Sequence, residues 1–155
     1  GGKTELLRAF CEEKPNLFFI ATLSSDNEQL ATFSQQIYGF KHAEVPAGFT
    51  FPAWEAAFRA LADLPMQPRP VVVMDEFTYL ISGNKAIPSI LQKVWDEKLK
   101  STRLVLVLCG SYIGMMESEV LGYQAPLYGR RTASSLLRPL DLPSSALFFP
   151  RYTPD

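Results

Sequence analysis

Cysteine and histidine are scarce in this chain: two cysteines and one histidine stand in 155 residues. That excludes a disulfide framework and the Cys/His metal sites that need several such ligands at short spacing. Cys11 lies on an apolar helical face and Cys109 in an apolar strand, positions that a small hydrophobe fills. His42 sits in a stretch punctuated by Gly and Pro, with no Cys or second His beside it, and is not read as a metal ligand. Long apolar runs are absent too. None reaches the roughly 20 residues that cross a bilayer, and no secretory leader pattern opens the chain. Nor is either sign of charge in excess. Fifteen Lys and Arg against 16 Asp and Glu leave a net charge of −1, so no global basic field draws nucleic acid or an anionic membrane. With 47% hydrophobic and 20% charged residues, the composition is that of a globular domain with a full core, and the expected location is cytoplasmic.

The chemistry is concentrated in two short motifs. Gly1-Gly2-Lys3-Thr4 runs directly into the amphipathic stretch Glu5 to Phe10. A glycine-rich loop entering a helix points backbone N–H groups at phosphates, a lysine there adds a point charge for the β- and γ-phosphates, and a threonine hydroxyl ligates Mg²⁺. Gly1, Gly2, Lys3 and Thr4 are therefore candidates for holding a nucleotide, and Thr4 for holding the metal. The full motif has a further glycine five positions before Gly2, and that position precedes Gly1. The second motif is Val71-Val72-Val73-Met74-Asp75-Glu76. A buried parallel strand delivers its carboxyl end to the crevice where α/β sheets bind ligands. Asp75 is the candidate second Mg²⁺ holder, through its water shell, and Glu76 the candidate base for an attacking water.

The rest of the chain alternates helix and strand. Leu6, Leu7, Phe10 and Cys11 predict a helix ending near Lys14-Pro15, and Leu17 to Thr22 a strand. Ser25 with Glu28 predicts a capped helix start, and Leu30, Phe33 and Ile37 continue it to Gly39. Residues 39–52 read as a loop, after which Trp54, Ala57, Phe58 and Leu61 form a helical stripe with Trp54 in the core. Ile87, Ile90, Leu91, Val94, Trp95 and Leu99 mark a strongly amphipathic helix, and Arg103 to Cys109 a strand buried on both faces. Ser111 follows that strand at Gly110, where it could sense a γ-phosphate or cap a helix starting at Tyr112. Leu136 to Leu140 and Ala146 to Phe149 supply one further short apolar element. The predicted class is α/β, with a parallel sheet sandwiched by helices. A phosphate loop needs a strand feeding it, so the chain is expected to be one partial domain, 1–155, truncated at both ends.

Gly-Lys-Thr-Glu-Leu-Leu, Val-Met-Asp-Glu-Phe-Thr-Tyr-Leu, Leu-Val-Leu-Cys-Gly-Ser-Tyr-Ile-Gly-Met-Met-Glu and Pro-Leu-Tyr-Gly-Arg-Arg-Thr together resemble the prokaryotic, largely archaeal, AAA-like P-loop ATPases of the additional-strand class. The resemblance covers nearly the whole chain. It implies ATP and Mg²⁺ as cofactors, Lys3 and Thr4 on phosphate and metal, Asp75 and Glu76 as the acidic pair, Ser111 as sensor, and Arg130 or Arg131 as an arginine finger. A finger reaching a neighbouring subunit would imply a homo-oligomer, whose macromolecular partner, DNA or protein, is open. The first strand of such a core is expected to be missing from this chain. Two other readings stand beside ATP hydrolysis: a non-hydrolysing interaction module, and a P-loop phosphotransferase. A GTPase would want Asp-x-x-Gly after the acidic strand and Asn-Lys-x-Asp for guanine, and neither Asp75 to Thr78 nor Asn84 to Ile87 supplies them.

Overall fold

The computed structural model describes residues 2–110, 133–137 and 144–149, with side chains described for 5–110. In chain order the elements are α1 (Gly2–Cys11), β1 (Asn16–Ile20), α2 (Asp26–Lys41), α3 (Trp54–Ala60), β2 (Val71–Asp75), α4 (Phe77–Gly83), α5 (Ile87–Glu97), β3 (Val105–Gly110), β4 (Ala133–Leu137) and β5 (Ser144–Phe149). Among the described residues the strands form one sheet in the order β1-β2-β3-β5-β4.

Alternation along the strands assembles the layers. Successive strand residues face opposite sides, so Leu17, Phe19, Val72, Met74, Leu106 and Leu108 line one face and Val71, Val73, Val107 and Cys109 the other. The first face is covered by α2, α3, α4 and α5, through side chains such as Phe33, Phe58, Leu80 and Leu91. The second is covered by α1, through Leu7 and Cys11. Burial holds the Cys11 thiol above its ordinary pKa, against the lowering pull of Lys14 and Arg8. β2 is buried along all five residues, as a central parallel strand with helices on both sides must be. It pairs in parallel with β1 on one side and with β3 on the other.

The sheet is not parallel throughout, which corrects the expected topology. β5 runs antiparallel to β3, and β4 antiparallel to β5. The single apolar element expected near the end of the chain is thus two strands. Their connection, residues 138–143, is far shorter than the dozen or more residues that a parallel crossover requires, so the chain can only double back. Two smaller expectations also change. α2 passes through Gly39 to Lys41, because a mid-helix glycine costs only about 1 kcal/mol and the helix is anchored by buried Phe33 and Ile37. α4 was not anticipated: Phe77 to Ile81 is rich in β-branched and aromatic residues and too short for helical periodicity to show.

Ser25 caps α2 as expected, its hydroxyl accepting the Glu28 N–H at 3.2 Å. Along the helical layer, α3 and α5 are bridged on the surface. Arg59 donates to Glu55 at 3.0 Å and also to Glu97, and Lys93 donates to Glu55 at 3.4 Å. Those bonds, from Arg59 first and Lys93 second, lower the pKa of the Glu55 carboxyl.

The densest packing under α2 is aromatic. The Phe33 ring stands edge-on to Phe19 at 5.2 Å, stacks on Trp54 at 5.6 Å and meets Phe58 edge-on at 5.9 Å. Phe33 is fully buried and joins β1, α2 and α3. Phe33→Ala is expected to destabilise the fold by about 3–5 kcal/mol, read from denaturant unfolding. Thr32→Ala, at an exposed neighbouring position, should stay within about 0.5 kcal/mol; equal effects would refute this account of the core.

Candidate functional site

The site is set by which end of the sheet each element reaches. α1 ends at Cys11 and β1 begins at Asn16, a connection tightened by the Asn16 side-chain amide, which donates to the Cys11 carbonyl at 3.2 Å and the Lys14 carbonyl at 3.0 Å. So short a link makes α1 run antiparallel to the strands. Its ten residues rise about 15 Å, close to the length of a five-residue strand at about 3.3 Å per residue. The first turn of α1, with Gly2, Lys3 and Thr4, therefore stands at the carboxyl edge of the sheet. Their backbone is described and their side chains are not.

Asp75 and Glu76 occupy the same edge. Asp75 continues the alternation of Val71 and Val73, which places it on the face that α1 covers. It has no solvent exposure. Its carboxylate accepts the Glu76 N–H at 2.9 Å, and its carbonyl accepts the Ala21 N–H at 2.9 Å, joining the ends of β1 and β2. A carboxylate buried this fully needs hydrogen bonds or a cation to offset the loss of water. Glu76, partly exposed, departs from the strand with φ 57° and ψ 42° and becomes the N-cap of α4. The left-handed region costs a non-glycine residue about 1–2 kcal/mol. Strain of that kind collects at ligand and active sites, where the surrounding structure holds it in place.

Two side-chain clamps missed in the sequence steady this edge. The amide of buried Gln29 pairs with the backbone of Thr22 in both directions, accepting its N–H at 3.1 Å and donating to its carbonyl. That fixes the turn beyond β1. The Asp26 carboxylate accepts the Trp54 indole N–H at 2.9 Å and the Asn84 amide at 3.3 Å. One carboxylate thus ties the starts of α2 and α3 to the end of α4. Their only sequence signal was the cap at Ser25; partners 28 and 58 residues away leave no local pattern.

The structure thus brings the backbone of Gly2, Lys3 and Thr4 to the edge that carries Asp75 and Glu76. Gly1, Ser111, Arg130 and Arg131 lie outside the described residues. Among the described residues no group of three or more His, Cys, Asp or Glu could hold a metal ion alone, and no helix is long and apolar enough to cross a membrane.

Comparison with known proteins gives this edge its context. The model of an ATPase domain family found predominantly in Archaea matches residues 1–153, and the chain belongs to that family. Membership carries nucleotide binding and ATPase chemistry as the general class of activity. Uncharacterized protein MJECL04 of Methanocaldococcus jannaschii is 30% identical over 150 residues, which are 97% of this chain and 31% of that protein. Uncharacterized protein MJ0424 of the same organism is 43% identical over 54 residues, 35% of this chain and 52% of that protein. The chain thus spans under a third of the length of the first relative. No solved structure matches it significantly.

The strained backbone can be tested apart from any activity. Glu76→Gly and Glu76→Ala both remove the side chain, but only glycine is at ease at φ 57°. The glycine variant should exceed the alanine variant in stability by about 1 kcal/mol, read as the difference between their unfolding midpoints. An alanine variant as stable as the glycine one would mean that Glu76 carries no backbone strain.

Proposed function

We propose, with membership in the archaeal ATPase family as premise, that this domain binds ATP with Mg²⁺ at the carboxyl edge of the sheet and hydrolyses it as the core of a molecular switch or motor. The observation that carries this reading is that Asp75 lies, fully buried, on the face covered by α1, at the edge where α1 begins. A cation against Asp75 would offset its desolvation, and the first turn of α1 points N–H groups and a positive helix end the same way.

The donor set fits Mg²⁺, which takes one or two carboxylates and fills its octahedron with water and phosphate oxygens rather than with a protein cage. When bound, the ion would neutralise charge on the transferring phosphoryl group. Lys3 would add a point charge for the β- and γ-phosphates, Thr4 would offer a hydroxyl to the metal, and Asp75 would hold its water shell. Gly1 and Gly2 let the backbone approach phosphate without a Cβ in the way. Glu76 stands one residue past the metal-side carboxylate, and would orient a water for in-line attack and receive its proton. Simple retention of nucleotide needs no such base, and this favours hydrolysis over a non-hydrolysing module. Ser111 follows β3 next to β2 and is assigned as the γ-phosphate sensor. On this reading the place of the added strand falls to β3, which pairs with β2 on the side away from β1. Arg130 and Arg131 are the finger candidates, acting between subunits of a homo-oligomer.

Glu76→Gln is expected to keep ATP binding and lower turnover by about 10²–10⁴-fold. Nucleotide titration and steady-state phosphate release read the two separately, and unchanged turnover would remove Glu76 from the mechanism. Phosphate transfer that required an acceptor other than water would make the protein a phosphotransferase. For the finger, an Arg130 and Arg131 double alanine variant mixed with wild type should depress activity out of proportion to its fraction, since known fingers contribute about 10³–10⁵ in rate. Linear dilution would place both arginines outside any shared site.

A further inference from the structure

The end of the sheet opposite Asp75 carries a row of cations. β1, β2 and β3 run parallel, with Asn16, Val71 and Val105 level with one another. Each has a basic residue two positions before it: Lys14, Arg69 and Arg103. The same offset recurs at the antiparallel strands. β4 starts and β5 ends at this amino edge, since Ala133 is opposite Phe148 and Phe149 opposite Leu106. In the sequence Arg131 comes two residues before the one and Arg151 two residues after the other. Neighbouring strands lie about 4.8 Å apart, so the ends of β1, β2 and β3 span about 10 Å and all five strand ends about 19 Å.

Like charges on adjacent strands weaken a sheet unless an anion offsets them. The Lys14 ammonium donates to the Phe10 carbonyl at 2.8 Å and lies 4.3 Å from the centre of that ring. Arg69 donates from its Nε to the Arg103 carbonyl, a bond that does not use the two terminal nitrogens of its guanidinium. Neither Lys14 nor Arg69 forms an ion pair among the described residues. Between them opens a cleft of about 410 Å³ whose lining includes Glu13, Lys14, Pro15, Pro68, Arg69 and Val105. One carboxylate against two cations leaves the cleft positive. With a net charge of −1 for the whole chain, this positive character is local to the edge.

We infer that the amino edge of the sheet binds the backbone of a nucleic-acid strand, its phosphates held by Lys14 and Arg69 with Arg103 beside them. A single phosphate would occupy one interval of the row, whereas a polyanion with evenly repeated charge meets the whole of it. The planar fork of arginine takes phosphate oxygens in pairs. An acidic peptide is the weaker occupant, because its carboxylates come at intervals set by its sequence, while phosphates repeat at every nucleotide. This site lies at the opposite end of the strands from the proposed ATP site and does not depend on that reading.

Fluorescence anisotropy of labelled oligonucleotides, one single-stranded and one duplex, titrated with the protein at several salt concentrations tests this. The logarithm of affinity should fall with the logarithm of salt at a slope of about −2 to −3, the value for roughly three phosphates neutralised. Lys14→Glu and Arg69→Gln should each weaken binding about tenfold, the effect of roughly one charge-assisted hydrogen bond, and make the slope shallower by about 1. Lys85→Glu makes the same change in net charge as Lys14→Glu at another exposed position. It adjoins Asn84, whose side chain reaches Asp26 at the start of α2, at the other end of the sheet, and should leave binding unchanged. A melting curve shows whether Arg69→Gln, which gives up the bond to Arg103, is folded; Lys14, which is exposed, keeps the test open if it is not. No binding at low salt, a Lys14→Glu variant that loses no more affinity than Lys85→Glu, or displacement of the oligonucleotide by Mg-ATP would overturn the inference. Polyglutamate bound more tightly than either oligonucleotide, and lost in Lys14→Glu, would make the occupant an acidic peptide and overturn it likewise.

Discussion

Everything at the candidate site follows from the double burial of β2. With Val72 and Met74 against one helical layer and Val71 and Val73 against the other, this strand has no wet side, and only its ends can meet solvent or ligand. Its carboxyl end finishes in a carboxylate that is itself fully buried. A chain that spends an aspartate in such a place must hold it with hydrogen bonds or a cation, because desolvating an unpaired carboxylate costs several kcal/mol or more (about 2–7 kcal/mol even for a neutral polar group). The same double burial requires α1 on the face that Asp75 shares, and the short link from α1 into β1 then brings the helix start to the aspartate's edge. Fold and site are one constraint here.

The sheet interior was legible in the sequence because it is written locally. Val71 to Met74 and Leu104 to Cys109 are apolar runs without alternation, which only a doubly covered strand needs, and the stripes of α2 and α5 repeat at helical spacing. What escaped is what depends on distant partners. Residues 133–149 carry no sign of strand direction; that comes from a connection too short for a crossover and from the free edge of β3. Gly39 read as a stop because its local cost was visible, while the burial of Phe33 and Ile37 that outweighs it was not. At the site, Asp75 and Glu76 stood out as a pair, yet the left-handed backbone of Glu76 has no sequence signal. Glycine would have announced it.

The Asp26 clamp shows how such a strained residue can be held. Glu76 caps the start of α4 and Asn84 its end; the Asn84 side-chain amide donates to Asp26, and its Oδ1 accepts the Ala86 N–H at 3.0 Å. The short helix is pinned at the end far from the glutamate, to the same carboxylate that receives Trp54. Phe77, Leu80 and Ile81 are buried beneath it, so α4 cannot slide without opening the core. If Glu76 is the base proposed above, a residue held in this way needs little ordering when substrate arrives, which is where proximity contributes most to rate.

The two edges of the sheet then divide the protein's surface by chemistry. The carboxyl edge gathers charge: a buried aspartate, an adjacent glutamate, and the helix start carrying Lys3. The side edge along β1 is largely apolar, with the Arg8 guanidinium over the Phe18 ring at 4.5 Å, and it is joined to the first by the turn at Ala21 and Thr22, where the Asp75 carbonyl and the Gln29 amide both take hold. The turn is bonded directly, through the Ala21 N–H, to the backbone of the residue proposed to hold the metal shell, so the end of β1 and the candidate site share one rigid ladder.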